Sequence, residues 1–168
     1  MDSELNIMID QISALPEDWH GAGTVGANVL REILRYAKDY GEISHSAETG
    51  SGRTTLLFSH LSASHLVFSL NAGKSVSQVK DSPLFNPETV TFIEGPSQRT
   101  LPNHLFTDDN DLILIDGPHG YPFPDLEYFY LYPTLKTGGL LIIEDINIPT
   151  VGRMLDIFGI GRLPEEAF

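Results

Sequence analysis

Apolar residues recur along this chain with two different periods. Leu5, Met8, Ile9, Ile12 and Leu15 fall at helical spacing over residues 3 to 15, and Pro16 ends that run. Val25, Val29, Leu30, Ile33, Leu34 and Ala37 repeat the pattern over residues 24 to 40, with Gly41 supplying the stop. Beyond Gly41 the pattern changes to short apolar runs, which predict five strands over residues 43–48, 66–70, 89–93, 111–115 and 140–143. The first is unusually polar, carrying Ser44, His45 and Ser46, so its assignment rests on its neighbours. Helical segments are predicted over residues 54–61, 76–79, 124–135 and 151–158. Asp81-Ser82-Pro83 breaks the second of these, and Pro133 disturbs the last turn of the third. That third helix is expected to bury Leu126, Phe129, Tyr130 and Leu135, and Gly138-Gly139 to turn the chain into the fifth strand.

Short, nearly continuous apolar strands separated by helices are expected where helices cover both faces of a parallel sheet. The class predicted is therefore α/β: an open, doubly wound, mostly parallel sheet in the order 3-2-1-4-5. No linker argues for a second unit, so residues 1–168 read as one domain with residues 1–23 as its N-terminal helix and loop. Residues 163 to 168 do not read as a finished strand or cap, which suggests truncation of a longer protein.

Composition narrows the chemistry. A formal charge of −13 disfavours nucleic acid and anionic membranes as general partners. The absence of cysteine removes disulfide and thiolate chemistry. The acidic start Met1-Asp2-Ser3-Glu4 makes a poor secretory signal, and no apolar run is long enough to span a bilayer, so the expected location is the cytoplasm.

In an open α/β sheet, ligands bind beyond the carboxyl ends of the strands. The distinctive residues fall there: Glu48, Asn71, Glu94-Gly95, Asp116-Gly117 and Glu144-Asp145. The most informative is the loop Ala47-Glu48-Thr49-Gly50-Ser51-Gly52-Arg53-Thr54-Thr55. Glycines at a strand-to-helix turn let a ligand approach the backbone and the first N–H groups of the helix. An acid just before them accepts hydrogen bonds from an amine or hydroxyl and repels phosphate. A phosphate-binding loop would need a glycine where Ala47 stands and a lysine where Arg53 stands, and a dinucleotide fingerprint would need a small residue where Thr55 stands. A pocket for a nucleoside-like cofactor fits better.

Residues 24 to 158 resemble the class I S-adenosylmethionine-dependent methyltransferases. The glycine loop is similar to their first motif, and Ile115-Asp116-Gly117-Pro118-His119 is similar to a segment of a small-molecule O-methyltransferase subgroup. That subgroup includes relatives of macrolide-sugar O-methyltransferases and proteins labelled cephalosporin hydroxylase. The resemblance implies S-adenosylmethionine as cofactor, with Gly50 and Gly52 at its methionine moiety and Glu48 supporting the ammonium group. It implies Asn71 near the ribose, where an acid is usual, Gly95 and Ser97 beside the adenine, and Asp116 near the methionine end. The reaction implied is methylation of a hydroxyl on a small-molecule substrate, with Asp116 and Asp145 flanking the transferred methyl and His119 as candidate base. Asp116, Glu144, Asp145 and Asn147 together could offer three oxygen ligands to Mg²⁺. The alternatives are a degenerate, non-catalytic member of the fold and a nucleotide-binding α/β enzyme. Trp19-His20-Gly21 reads as an aromatic anchor or a lid, and the aromatic segment from Phe123 to Tyr132 as packing, pocket wall or the face of a homodimer.

Overall fold

The computed structural model describes residues 2–16, 19 and 25–158. Helices α1 (Asp2–Ser13) and α2 (Ala27–Tyr40) precede five parallel strands. These are β1 (Ile43–Thr49), β2 (Ser62–Ser69), β3 (Val90–Glu94), β4 (Asn110–Ile115) and β5 (Leu135–Ile143), arranged β3-β2-β1-β4-β5. Helices α3 (Arg53–Leu61), α4 (Ser75–Lys80), α5 (Ser97–Thr100), α6 (Phe123–Leu131) and α7 (Pro149–Phe158) complete the described chain. The predicted topology and strand order are those observed.

Two apolar clusters cover the two faces of the sheet. Ile9, Ile12, Leu30, Ile33 and Leu34 pack with Leu56, Leu57 and Phe58 of α3 against Ile43, Leu112 and Leu114. Trp19 is partly buried against this cluster, which is the anchor role; the other residues from 17 to 24 lie outside those described. On the opposite face Ala47, Phe68, Ile113 and Ile115 meet Leu101, Leu131 and Met154.

The polar character of β1 has a structural cause. Ser46 Oγ lies 2.6 Å from Ser62 Oγ and 2.7 Å from His65 Nδ1, and His65 Nε2 lies 3.2 Å from Glu48 Oε1, all of them buried. Side chains two apart on a strand share a face. Ser46 and Glu48 therefore pair with His65 of β2 beneath α3 instead of packing as apolar residues. The same network explains why β2 begins at Ser62, four residues before the predicted start. Ser62-Ala63-Ser64-His65 lacks an apolar run, yet its inward polar groups have partners on β1.

Two further expectations are corrected. Gly138-Gly139 is not a turn before β5 but lies within it, at a register irregularity against β4; Gly138 takes φ +83 there. Helix α6 does not bury Phe129, which is 68% exposed, because its inward stripe is Pro124, Glu127 and Leu131. A glutamate on that stripe disguises the period.

At the start of β4 and away from the ligand end, Asp111 is a buried latch. It accepts hydrogen bonds from the Ser44 and His45 backbone N–H groups at 2.9 and 3.0 Å, from Tyr40 Oη at 2.9 Å and from Lys136 Nζ at 2.6 Å. Burial opposes its charge, but Lys136, the His45 N–H and Tyr40 outweigh that and hold its pKa down at about 2. A depressed carboxylate stabilises the fold above its unfolded value, near 4, and loses that contribution as pH falls toward 2. Asp111→Asn is expected to lower the unfolding free energy at pH 7 by roughly 2 kcal/mol. Urea melts should show the gap between variant and wild type closing between pH 4 and pH 2, and a gap that persists at pH 2 would remove charge as its origin.

Candidate active site

The carboxyl ends of the strands open into a cavity of about 390 Å³. Its walls come from the β1–α3 loop (Gly50 to Thr54), the end of β2 (Phe68 to Leu70), the loop after β3 (Gly95 and Ser97), the β4–α6 loop (Asp116 to His119), and Glu144-Asp145 after β5. Glu127 reaches it from α6.

The backbone at the floor is held closely. The Asp116 N–H donates to Thr49 Oγ1 at 3.1 Å, and the Gly50 N–H donates to the Phe68 carbonyl at 3.0 Å. Gly50 has φ +86, and a Cβ there would overlap the backbone carbonyl of Asp116. Glycine at this position therefore serves the approach of β4 to β1 as well as opening the loop to a ligand.

Glu48 is placed differently from the expectation. Its side chain is fully buried and does not line the cavity. Oε2 accepts from Thr54 Oγ1 at 2.9 Å, Oε1 accepts from the Thr55 hydroxyl, and Thr55 Oγ1 accepts in turn from the Gly52 N–H at 2.9 Å. Glu48 thus ties the first turn of α3 to the sheet and is not free to meet an ammonium group. Asn71 is also turned away. Its Nδ2 donates to Ser77 Oγ at 3.0 Å and its Oδ1 accepts from the Ser77 N–H at 3.3 Å, so it tethers α4, and only its neighbours Leu70 and Ala72 line the cavity. Gly50, Gly52, Gly95, Ser97, Asp116, His119 and Asp145 all line the cavity. Asn147 does not.

Asp116, His119 and Asp145 form one cluster, with ligand-type atoms all within 4.8 Å of one another. His119 Nε2 lies 3.0 Å from Asp145 Oδ2 and 3.7 Å from Asp116 Oδ1. Asp145 takes φ +54, a conformation uncommon for residues other than glycine and found preferentially at functional sites. The Thr150 hydroxyl donates to the His119 carbonyl and so fastens the loop to α7. The adjacent Asp116, reinforced by the charge of Asp145, raises the His119 pKa above the ordinary imidazole value despite partial burial.

Glu144 lies beside Asp116. Burial, then the charges of Asp116 and Asp145, push its pKa up to about 9, so Glu144 holds the proton of this pair at neutral pH. Burial raises the Asp116 pKa too, while the adjacent His119 and Glu144 side chains favour its charged form.

Arg53 contributes the only guanidinium among the described lining residues, and it is committed elsewhere: its Nη2 donates to the carbonyls of Leu15 and Pro16 at 2.7 and 3.3 Å, and its Nη1 to that of Val25 at 3.3 Å. A cavity bounded by four carboxyl side chains, with its guanidinium so occupied, suits a cationic or neutral ligand and repels a polyphosphate. Sequence reasoning missed one lining residue of this kind, Glu127; the available signal was its helical spacing, three residues after Pro124 and four before Leu131, on the inward stripe.

The fold is similar to solved structures of known description. An O-methyltransferase from Bacillus cereus, solved with S-adenosylhomocysteine, superposes with a TM-score of 0.63 at 15% identity over 96% of this chain and 80% of that one. The O-methyltransferase TomG from Streptomyces achromogenes, involved in tomaymycin synthesis and solved with S-adenosylmethionine, gives 0.61 at 13% identity over 95% and 78%. MycE methyltransferase from the mycinamycin biosynthetic pathway, solved with magnesium, S-adenosylhomocysteine and mycinamycin VI, gives 0.53 at 14% identity over 84% and 39%. At such identities the likeness is one of fold. No curated protein matches the chain. Residues 47–146 match the model of a family described as a methyltransferase domain, and the chain belongs to that family.

Proposed function

We propose that this protein transfers a methyl group from S-adenosylmethionine to a hydroxyl of a small molecule. The observation that carries the proposal is the Asp116–His119–Asp145 cluster in the wall of a cavity built on the Gly50–Gly52 loop. The cofactor supplies an activated methyl on a sulfonium centre. The chain's own residues then have three tasks. The glycine loop admits the methionine part of the cofactor, and the carboxylate of Asp116 faces its positive charges. His119 would accept the hydroxyl proton at Nδ1 as the methyl is transferred, because Nε2 is buried and faces Asp145 at 3.0 Å. Asp145 orients the imidazole and stabilises the imidazolium that results.

Titration calorimetry tests the cofactor directly. Binding of S-adenosylmethionine and S-adenosylhomocysteine, with no binding of ATP, supports the reading, and the reverse order overturns it. In a second reading of the cluster, Asp116 and Asp145 would hold Mg²⁺, which would supply a positive charge for a substrate hydroxylate. The two carboxylates suit magnesium, but an imidazole nitrogen is a poor match for so hard an ion. The expected result is that EDTA leaves the transfer rate within about twofold, since proton removal by His119 needs no ion. A loss greater than tenfold that magnesium restores would move both acids into a metal site.

Among the described residues no helix is long and apolar enough to cross a membrane. The lack of cysteine fits a reducing compartment such as the cytoplasm. The exposed Phe129 and Tyr132 of the α6 segment are the face on which a homodimer would form, to be checked by sedimentation.

A further inference from the structure

Among the polar atoms of the cavity wall that are buried without a well-aligned hydrogen-bond partner are both carboxyl oxygens of Glu127 and Ser97 Oγ. Glu127 is fully buried on α6, and Ser97 is nearly so at the start of α5. The carboxyl group lies against Gly117, where even a Cβ would collide with it. Unpaired buried groups are costly, and a native fold keeps them where a ligand or water completes them.

The shape of the cavity says which part of the ligand they meet. The inference rests on the cofactor proposed above, whose two positive charges lie at its methionine end. The acids Asp116 and Asp145 gather at one end of the cavity with His119. The remaining wall carries Phe68, Leu70, Gly95 and Ser97 and suits a flat, neutral ring. We propose that Glu127, together with Ser97, reads the hydrogen-bonding edge of the adenine ring. That edge places an amino donor beside a ring-nitrogen acceptor. A carboxylic acid answers both at once, accepting from the amino group through its carbonyl oxygen and donating its O–H to the ring nitrogen. An ionised carboxylate answers only the amino group and repels the ring-nitrogen lone pair.

The protonation state required is one the site favours. Burial, aided by the charge of Asp116, raises the Glu127 carboxyl to a pKa of about 7, against the opposing influence of the Thr49 and Ser97 hydroxyls and His119. The charged groups facing it are therefore Asp116 and His119 from the β4–α6 loop, while β1 and α5 present hydroxyls.

The test compares S-adenosylhomocysteine with S-inosylhomocysteine by titration calorimetry. The inosyl compound carries an oxygen acceptor beside an N–H donor, the reverse of the adenine edge. Wild-type protein is expected to prefer the adenosyl compound by roughly tenfold or more, since a site built for one donor and one acceptor leaves both unpaired against the reversed pattern. Glu127→Gln should bind the adenosyl compound within about threefold of wild type but lose most of the preference, because an amide can present its two ends in either order. Gly117→Ala keeps Glu127 in the chain but pushes its carboxyl group aside, and should also lose the preference. Wild-type affinity for the adenosyl compound should fall as pH rises through 7, and Glu127→Gln should lack that fall. Failure of either nucleoside compound to bind sinks the cofactor reading and this inference with it. Binding of both with equal affinity by wild type, or a preference retained in Glu127→Gln and Gly117→Ala, overturns the role of Glu127 alone.

Discussion

Replacing His119 with alanine is expected to lower the rate of methyl transfer by about 10²- to 10⁴-fold, the usual contribution of a general base. Affinity for S-adenosylhomocysteine should change by less than about threefold, because proton acceptance is expressed in the transition state and not in cofactor binding. The structural reason is that Asp145 Oδ2, 3.0 Å from Nε2, holds the imidazole in the wall of the cavity at its acidic end. The sign of the pH dependence follows from the raised pKa. A base works only when unprotonated, so activity should climb with pH through a midpoint above the ordinary imidazole value near 6.5. Asp145→Asn removes one of the charges that favour the imidazolium and should move that midpoint down. NMR titration of the His119 ring checks the shift without any acceptor. Production of S-adenosylhomocysteine with a hydroxylated acceptor checks the rate. A His119→Ala enzyme that turns over at the wild-type rate when chemistry limits the reaction would remove His119 from the mechanism.

What could be read from the chain without its structure followed the strength of each local signal. β4 is a run of buried apolar residues from Leu112 to Ile115, and its strand and central place were legible because burial on both faces leaves no polar position. The turn at Gly50 was legible because only glycine readily takes its conformation. Less legible were the residues whose partners are distant in sequence. Glu48 looked like a ligand for an amine, since nothing in its neighbourhood announces that Thr54, Thr55 and His65 will occupy its oxygens. Asn71 looked like a ribose contact until Ser77 claimed its amide. Glu127 was hidden for the opposite reason. On an amphipathic helix a glutamate is expected on the solvent side, so the inward stripe was assigned to Phe129 and its neighbours. In each case the sequence located the ligand end of the sheet, and side-chain pairing across elements decided which acids face the ligand.

Gly50 tests whether the floor of the site is as closely held as the backbone contacts indicate. Gly50→Ala is expected to reduce stability by about 4 kcal/mol or more, placing it among the severe single substitutions. Two effects add. The left-handed conformation at φ +86 disfavours any residue with a Cβ, at a cost of about 1–2 kcal/mol. The new Cβ would also overlap the Asp116 carbonyl. That carbonyl belongs to the backbone just after β4, next to the Thr49–Ile115 pairing, and cannot swing away as a side-chain tip would. Gly138→Ala supplies the control. Gly138 has a similar φ of +83 but nothing within 4 Å of the added carbon, so only the conformational cost of about 1–2 kcal/mol should appear. Urea unfolding of the two variants, with equal dependence on denaturant, would isolate the contact between β1 and β4 as the difference. If the two losses are the same, the end of β4 yields to the added methyl, and the position of Asp116 is set by something other than its approach to Gly50.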